Sequence, residues 1–159
     1  MLNQTYSATS LRRYLEPHDL RRFNVSGGTS ELRRITERAE KQIAQNKFEF
    51  RFLAKKPTKR SAIFSSTDLA ENLVLRKLND NVRRIYKLRQ SNRDEIIYQV
   101  RVLLQETSPK HIIRSDIESF YESISRKRLH DTLLKDTVIS KQNKYILHQL
   151  FTNPLILSW

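Results

Sequence analysis

Across 159 residues there is no cysteine, and glycine occurs only twice, side by side at Gly27 and Gly28. Without cysteine the chain has no disulfide framework, no thiolate zinc site and no thiol nucleophile, a usage that suits a reducing compartment. Two glycines cannot supply a P-loop or a dinucleotide-binding fingerprint, which need several at fixed spacing. Long hydrophobic runs are missing too. The first twenty residues carry Arg12 and Arg13 but no apolar stretch of signal-peptide length, and no later segment approaches a membrane span. The expectation is therefore a cytoplasmic protein without a membrane partner. The four histidines, His18, His111, His130 and His148, are scattered with no i,i+4 pair, a spacing that disfavours a histidine metal site or a Ser-His-Asp arrangement.

Positive charge is what the chain has in excess. Thirty Lys and Arg face seventeen Asp and Glu, a net charge of +13 with a pI near 10.3. Such a balance concentrates phosphate-bearing polymers around the molecule and favours a polyanion as partner. Residues 1–60 carry 14 basic and 6 acidic side chains (net +8), residues 61–110 carry 9 and 6 (+3), and residues 111–159 carry 7 and 5 (+2). The N-terminal third is the expected electrostatic contact. The competing reading is that these Lys and Arg only solvate helices. A membrane surface fits less well, because no Trp/Phe-rich amphipathic segment accompanies the charge.

The length suits one domain with a core of its own, and the apolar spacing predicts mostly helices. Leu11, Tyr14 and Leu15, then Leu20 and Phe23, predict two short helical pieces broken around Pro17, followed by a joint at Ser26, Gly27 and Gly28. Ser30 is the expected N-cap of a helix with Leu32, Ile35, Ala39 and Ile43 on one face. Phe48, Phe50 and Phe52 alternate with Glu49 and Arg51, a strand signal, with residues 55–60 as the turn and Ala62, Ile63 and Phe64 starting a return strand. Asp68 with Glu71 predicts a cap for a helix burying Leu75, Leu78, Val82 and Ile85, with Arg76, Lys77, Arg83, Arg84 and Lys87 pointing elsewhere. Asn92 with Glu95 repeats the device before Ile96, Val100, Leu103 and Leu104, a helix that Thr107, Ser108 and Pro109 end. Leu129 with Leu133, and Ile146 with Leu150, predict two more helices. Three regions result: a basic helical stretch at 1–47, a hairpin with two helices at 48–110, and a strand with following helices at 111–159.

The strand expected in the last region carries the strongest signal. Residues 113–124 read Ile-Arg-Ser-Asp-Ile-Glu-Ser-Phe-Tyr-Glu-Ser-Ile. Ile113, Ser115 and Ile117 fall on one face and Ile112, Arg114 and Asp116 on the other, the period of a strand. Asp at a strand end either holds a metal or bonds its own backbone. The string Asp-Ile-x-Ser-Phe-Tyr-x-Ser-Ile resembles motif A, the first catalytic palm strand of reverse transcriptases of the bacterial retron, group II intron and abortive-infection defence type. The segment from Phe50 to Lys56 followed by Arg60 to Ile63 resembles the fingers hairpin of that family, although Pro57 and Thr58 stand where the family places glycines. Asn92 to Ile97 running to Pro109 is similar to the segment that precedes motif A. The resemblance covers about residues 48–136.

It implies an α+β fold, the helix-rich fingers and first palm strand of an incomplete right-hand polymerase. It also implies RNA-directed DNA synthesis by two Mg²⁺ ions, which stabilise attacking and leaving oxygens. In that scheme Asp116 is the catalytic carboxylate and a Mg²⁺ ligand, and the main-chain carbonyl of Ile117 is a further ligand. Tyr121 lies under the incoming sugar, and Lys56 and Arg60 grip the triphosphate of a deoxynucleoside triphosphate. Phe120 is expected in the palm core, and Glu118 and Glu122 toward solvent. For Lys56 and Arg60 a solvated hairpin tip is the alternative. Expected partners are an RNA template, RNA/DNA hybrid, and the remainder of the polymerase in the same or another chain. Motif B and the Tyr-x-Asp-Asp type of motif C do not occur in the sequence, so the chain alone is expected to bind and not to polymerise. Two other classes compete with this one: a non-catalytic nucleic-acid-binding module, and a helical interaction protein whose charge is incidental.

Overall fold

The computed structural model describes residues 2–58, 61–89, 92–111, 113, 115 and 123–153, with the backbone alone at 53–58 and 61–64. Among these residues the chain is helix-rich with one antiparallel strand pair. In chain order the elements are α1 (Ala8–Arg12), α2 (Asp19–Arg22), α3 (Gly28–Ala44), β1 (Phe52–Thr58), β2 (Ser61–Ser66), α4 (Leu69–Ile85), α5 (Arg93–Gln105), α6 (Arg126–Lys135) and α7 (Lys141–Phe151). The palm strand expected around Asp116 falls mostly outside the described residues. Its two described members, Ile113 and Ser115, are in no regular element.

One core joins residues far apart in the chain. Leu11 of α1, Ala39 and Ile43 of α3, Leu73, Val74 and Leu78 of α4, and Ile146 and Leu147 of α7 are all buried in a single cluster, with Phe48, Phe50 and Phe52 added from the connection. Burying one such side chain stabilises the fold by about 1.5–3 kcal/mol. The cluster thus draws on all three regions named from the sequence.

The extreme N-terminus is stitched into this core by polar groups. Tyr6 is buried, and its hydroxyl donates to Asn143 Oδ1 at 2.5 Å. Asn81 Nδ2 donates to the same oxygen at 2.9 Å, and Asn143 Nδ2 donates to Gln4 Oε1 at 2.7 Å. Gln4 also takes the Ser140 amide at its Oε1 and gives its own amide to the Val138 carbonyl. Lys77, buried on α4, donates to the Asn3 carbonyl at 3.0 Å. Buried polar groups need such partners, since an unmade bond costs about 1–3 kcal/mol. The interior pushes the Tyr6 phenol pKa far above its ordinary value through burial.

Several expectations are corrected here. Lys77 does not point away from the core: α4 buries Leu69, Leu73, Val74 and Leu78 together with Glu71, Lys77 and Asn81, and leaves Leu75, Val82 and Ile85 at the margin. The irregular N-terminal segment supplies the Asn3 and Gln4 carbonyls that accept from Lys77 Nζ and Asn81 Nδ2. Asp68 caps α4 as expected, accepting from the Ala70 amide at 2.7 Å. Glu71 does not close the box. Its carboxylate instead accepts from the Arg51 amide (2.9 Å) and Ser66 Oγ (2.6 Å), tying the connection to the positive end of α4. Helix α3 begins at Gly28 and not after Ser30. Gly27 is its N-cap and donates its amide to Glu31 Oε2, while Gly28 sits at φ 59, a region that a residue without Cβ enters freely.

The phenylalanine run reads correctly as a face but not as a strand throughout. Phe48 packs edge-on to Phe50, and Phe50 stacks on Phe52, yet ladder pairing begins only at Phe52. Over 48–51 side chains replace the missing ladder: Tyr145 donates to the Phe48 carbonyl and Asn153 to that of Phe50. The first strand also runs further than expected. Lys55, Lys56, Pro57 and Thr58 belong to β1, which pairs from Phe52 with Ser66 to Thr58 with Ser61. The register is irregular between Lys55 and Thr58, where Pro57 has no N–H to offer a ladder.

Candidate functional site

Of the residues expected to do chemistry, Asp116, Ile117, Tyr121 and Arg60 lie outside the described residues, as do Glu118, Phe120 and Glu122. Lys56 is placed by its backbone in β1. Of this set, only the backbone of Lys56 is therefore among the described residues. The described residues do hold a different charged site in the N-terminal half.

Helix α4 presents Arg76, Asp80, Arg83 and Arg84 along one side, and α1 with the turn after it presents Arg13, Tyr14 and Glu16. Between them lies an open cleft of about 630 Å³, lined also by Leu15, Asn79 and Leu88. Arg76 is fully committed. Its guanidinium clasps both carboxylate oxygens of Asp19, donates to the Tyr14 carbonyl at 2.9 Å, and lies 3.4 Å from Glu16 Oε2. Asp19 is buried, and burial alone would raise its pKa. The bonds from Arg76 and from the Glu16 amide outweigh that and hold it below the usual carboxylate range. Tyr14 Oη donates to Asp80 at 2.7 Å; burial and this bond push the phenol up to about 12. Asp80 also approaches Arg84 at 3.5 Å.

Arg13 and Arg83 are the cleft's exposed cations with no carboxylate partner among the described residues. Lys87 and Arg89, exposed just beyond α4, extend the same sign of charge. Two unspent guanidiniums beside the Tyr14 ring can grip phosphate oxygens bidentately.

Among the described residues, the one candidate cluster does not suit Mg²⁺. Glu16, His18 and Asp19 form the one three-ligand cluster among the described residues, and Arg76 already occupies both Asp19 oxygens and flanks Glu16. A second cation there would meet a guanidinium in place of free lone pairs.

No family model matches the chain, and neither does any curated protein or solved structure. Among the described residues, no helix is long and apolar enough to cross a membrane. Sequence reasoning missed the pairing of His130 with His148, whose rings lie 5.4 Å apart between α6 and α7. The two residues sit on separate helices with a break between them, so no single helical period links them and only the packing of α6 on α7 reveals the pair.

Proposed function

We propose that this chain is the fingers and opening palm of an RNA-directed DNA polymerase of the retron, group II intron or defence type, and that its N-terminal half holds RNA or RNA/DNA hybrid. The single observation that carries the reading is the motif-A-like run at 113–124. The β1/β2 hairpin and the unspent Arg13 and Arg83 in the α1/α4 cleft support it. On this reading Asp116, with the Ile117 carbonyl, holds Mg²⁺, which supplies charge stabilisation for phosphoryl transfer. Tyr121 limits the room beside the sugar, and Lys56 and Arg60 meet the triphosphate.

The test is binding of an RNA/DNA hybrid across a salt series. Affinity should fall steeply with salt, because each neutralised phosphate releases counterion. The double variant Arg13→Ala/Arg83→Ala should bind more weakly and show a salt slope smaller by about two. Unchanged affinity and slope in that variant would remove the cleft from the interface, and salt-insensitive binding would remove the polyanion altogether. A second reading, a helical interaction protein, is favoured by α5, which exposes Ile96, Ile97, Tyr98, Val100, Leu103 and Leu104 and buries nothing. Absence of hybrid binding at low salt would select it.

A further inference from the structure

His130 on α6 and His148 on α7 face one another with His130 Nε2 and His148 Nδ1 3.4 Å apart. That separation is long for a good hydrogen bond, whose heavy atoms approach to about 2.7–3.2 Å. It suits two nitrogens sharing one small cation. With metal–nitrogen bonds of about 2.0–2.1 Å, nitrogens 3.4 Å apart subtend an angle of about 110° at the ion, close to tetrahedral. From these observations we infer that His130 and His148 form a two-histidine site for a borderline divalent transition ion of the zinc class, clamping α6 to α7.

The surroundings prepare both nitrogens as ligands. Asp131 Oδ1 lies 3.8 Å from the opposite nitrogen of His130, Nδ1, so the carboxylate flanks the far side of the ring and Nε2 is the nitrogen that faces His148. His148 is exposed, so its own Nε2 can keep a proton in contact with water while Nδ1 faces inward. The His130 ring is held by Phe151, whose centroid is 5.3 Å away, and its side chain is only 15% exposed. One ligand is thus fixed and the other open to entry from solvent. Water completes the coordination. Imidazole nitrogen selects Zn²⁺, Ni²⁺ or Cu²⁺ over Mg²⁺ and Ca²⁺, which demand oxygen. The many cations of α6 and α7, Arg126, Lys127, Arg128, Lys141 and Lys144 among them, oppose a divalent ion and keep the affinity moderate.

The experiment uses chain without a polyhistidine tag and follows thermal unfolding against Zn²⁺ concentration, with a chromophoric chelator competing to give stoichiometry. Binding to the folded state alone raises its stability by RT ln(1 + [Zn²⁺]/Kd), so a saturable rise of several degrees is expected, at one ion per chain. Mg²⁺ should give none. His148→Ala, exposed and outside the core, should fold normally and lose the shift, and His130→Gln should lose it as well. His18→Ala and His111→Ala should keep it. Absence of any zinc shift in wild-type chain overturns the site. So does a shift that survives His148→Ala, and loss of the shift in His18→Ala would move the ion to the Glu16, His18 and Asp19 cluster.

Discussion

Helices α4 and α5 are announced by the same sequence devices and meet opposite fates. Each opens on a side-chain cap, Asp68 or Asn92, and each carries apolar residues at helical spacing. Asn92 even completes a full capping box with Glu95, which Asp68 does not. Yet α4 buries seven residues, and α5 buries none while leaving Tyr98 68% and Leu103 54% exposed. A cap and a stripe specify that a helix forms. They do not specify that anything covers it. In α4 the cover comes from α1, α3, α7 and the segment around Gln4 and Tyr6, all distant in sequence.

The largest effect expected from this contrast is in hydrophobic deletion. Leu73 has no exposed surface, so Leu73→Ala removes buried methyl groups and leaves a cavity, costing about 3–4 kcal/mol. Leu103→Ala should lie within about 0.5 kcal/mol of wild type. Equilibrium urea unfolding of both variants measures the difference directly. Equal losses would mean that α5 is covered in solution and would erase the contrast.

A smaller effect concerns charge on the two helices. Arg76 of α4 is spent on Asp19, whereas Arg101 of α5 has no carboxylate partner among the described residues. Asp19→Asn should cost about 2 kcal/mol at neutral pH, the range of hydrogen bonds to a charged group. The folded-state pKa of Asp19 is depressed, so its stabilisation is complete above the unfolded value near 4 and fades as pH falls below it. Wild type and Asp19→Asn should therefore converge below about pH 4 in a stability-against-pH series, while Arg101→Ala should match wild type throughout. A constant gap down to the lowest pH would remove the ion pair as its source.

How much of this was legible in the sequence follows the same division. Local periods were: the break at Pro17, the Asn92/Glu95 box, the shared face of Phe48, Phe50 and Phe52, and the two C-terminal helices were readable from neighbours two to four residues apart. Long-range partners were not. Tyr6 meets Asn143 across 137 positions, and Lys77 meets Asn3 across 74, so neither buried group could be distinguished from a solvated one. Glu71 was read as a cap because its spacing from Asp68 fits one, whereas the Arg51 amide and Ser66 Oγ compete for it more strongly once the hairpin folds back. Of the expected catalytic residues, the sequence offers a motif, and the described structure adds only the hairpin backbone at Lys56.

The smallest effect separates formation of a helix from its coupling to the fold. Asp68→Ala removes the acceptor of the Ala70 amide, and the typical loss for such a cap, about 1 kcal/mol, should appear in global unfolding because α4 melts only with the core. Asn92→Ala removes a comparable cap, the acceptor of the Asp94 amide and half of the reciprocal pair with Glu95. With no buried residue in α5, that loss stays local. Its urea midpoint should be unchanged within error, while amide hydrogen exchange over 93–105 accelerates about fivefold, the factor that 1 kcal/mol gives. Asp68→Ala should instead accelerate exchange across α4 and the core together. A shift of the global midpoint by Asn92→Ala equal to that of Asp68→Ala would show that α5 unfolds with the rest, and that the exposed stripe rests against the body of the protein in solution.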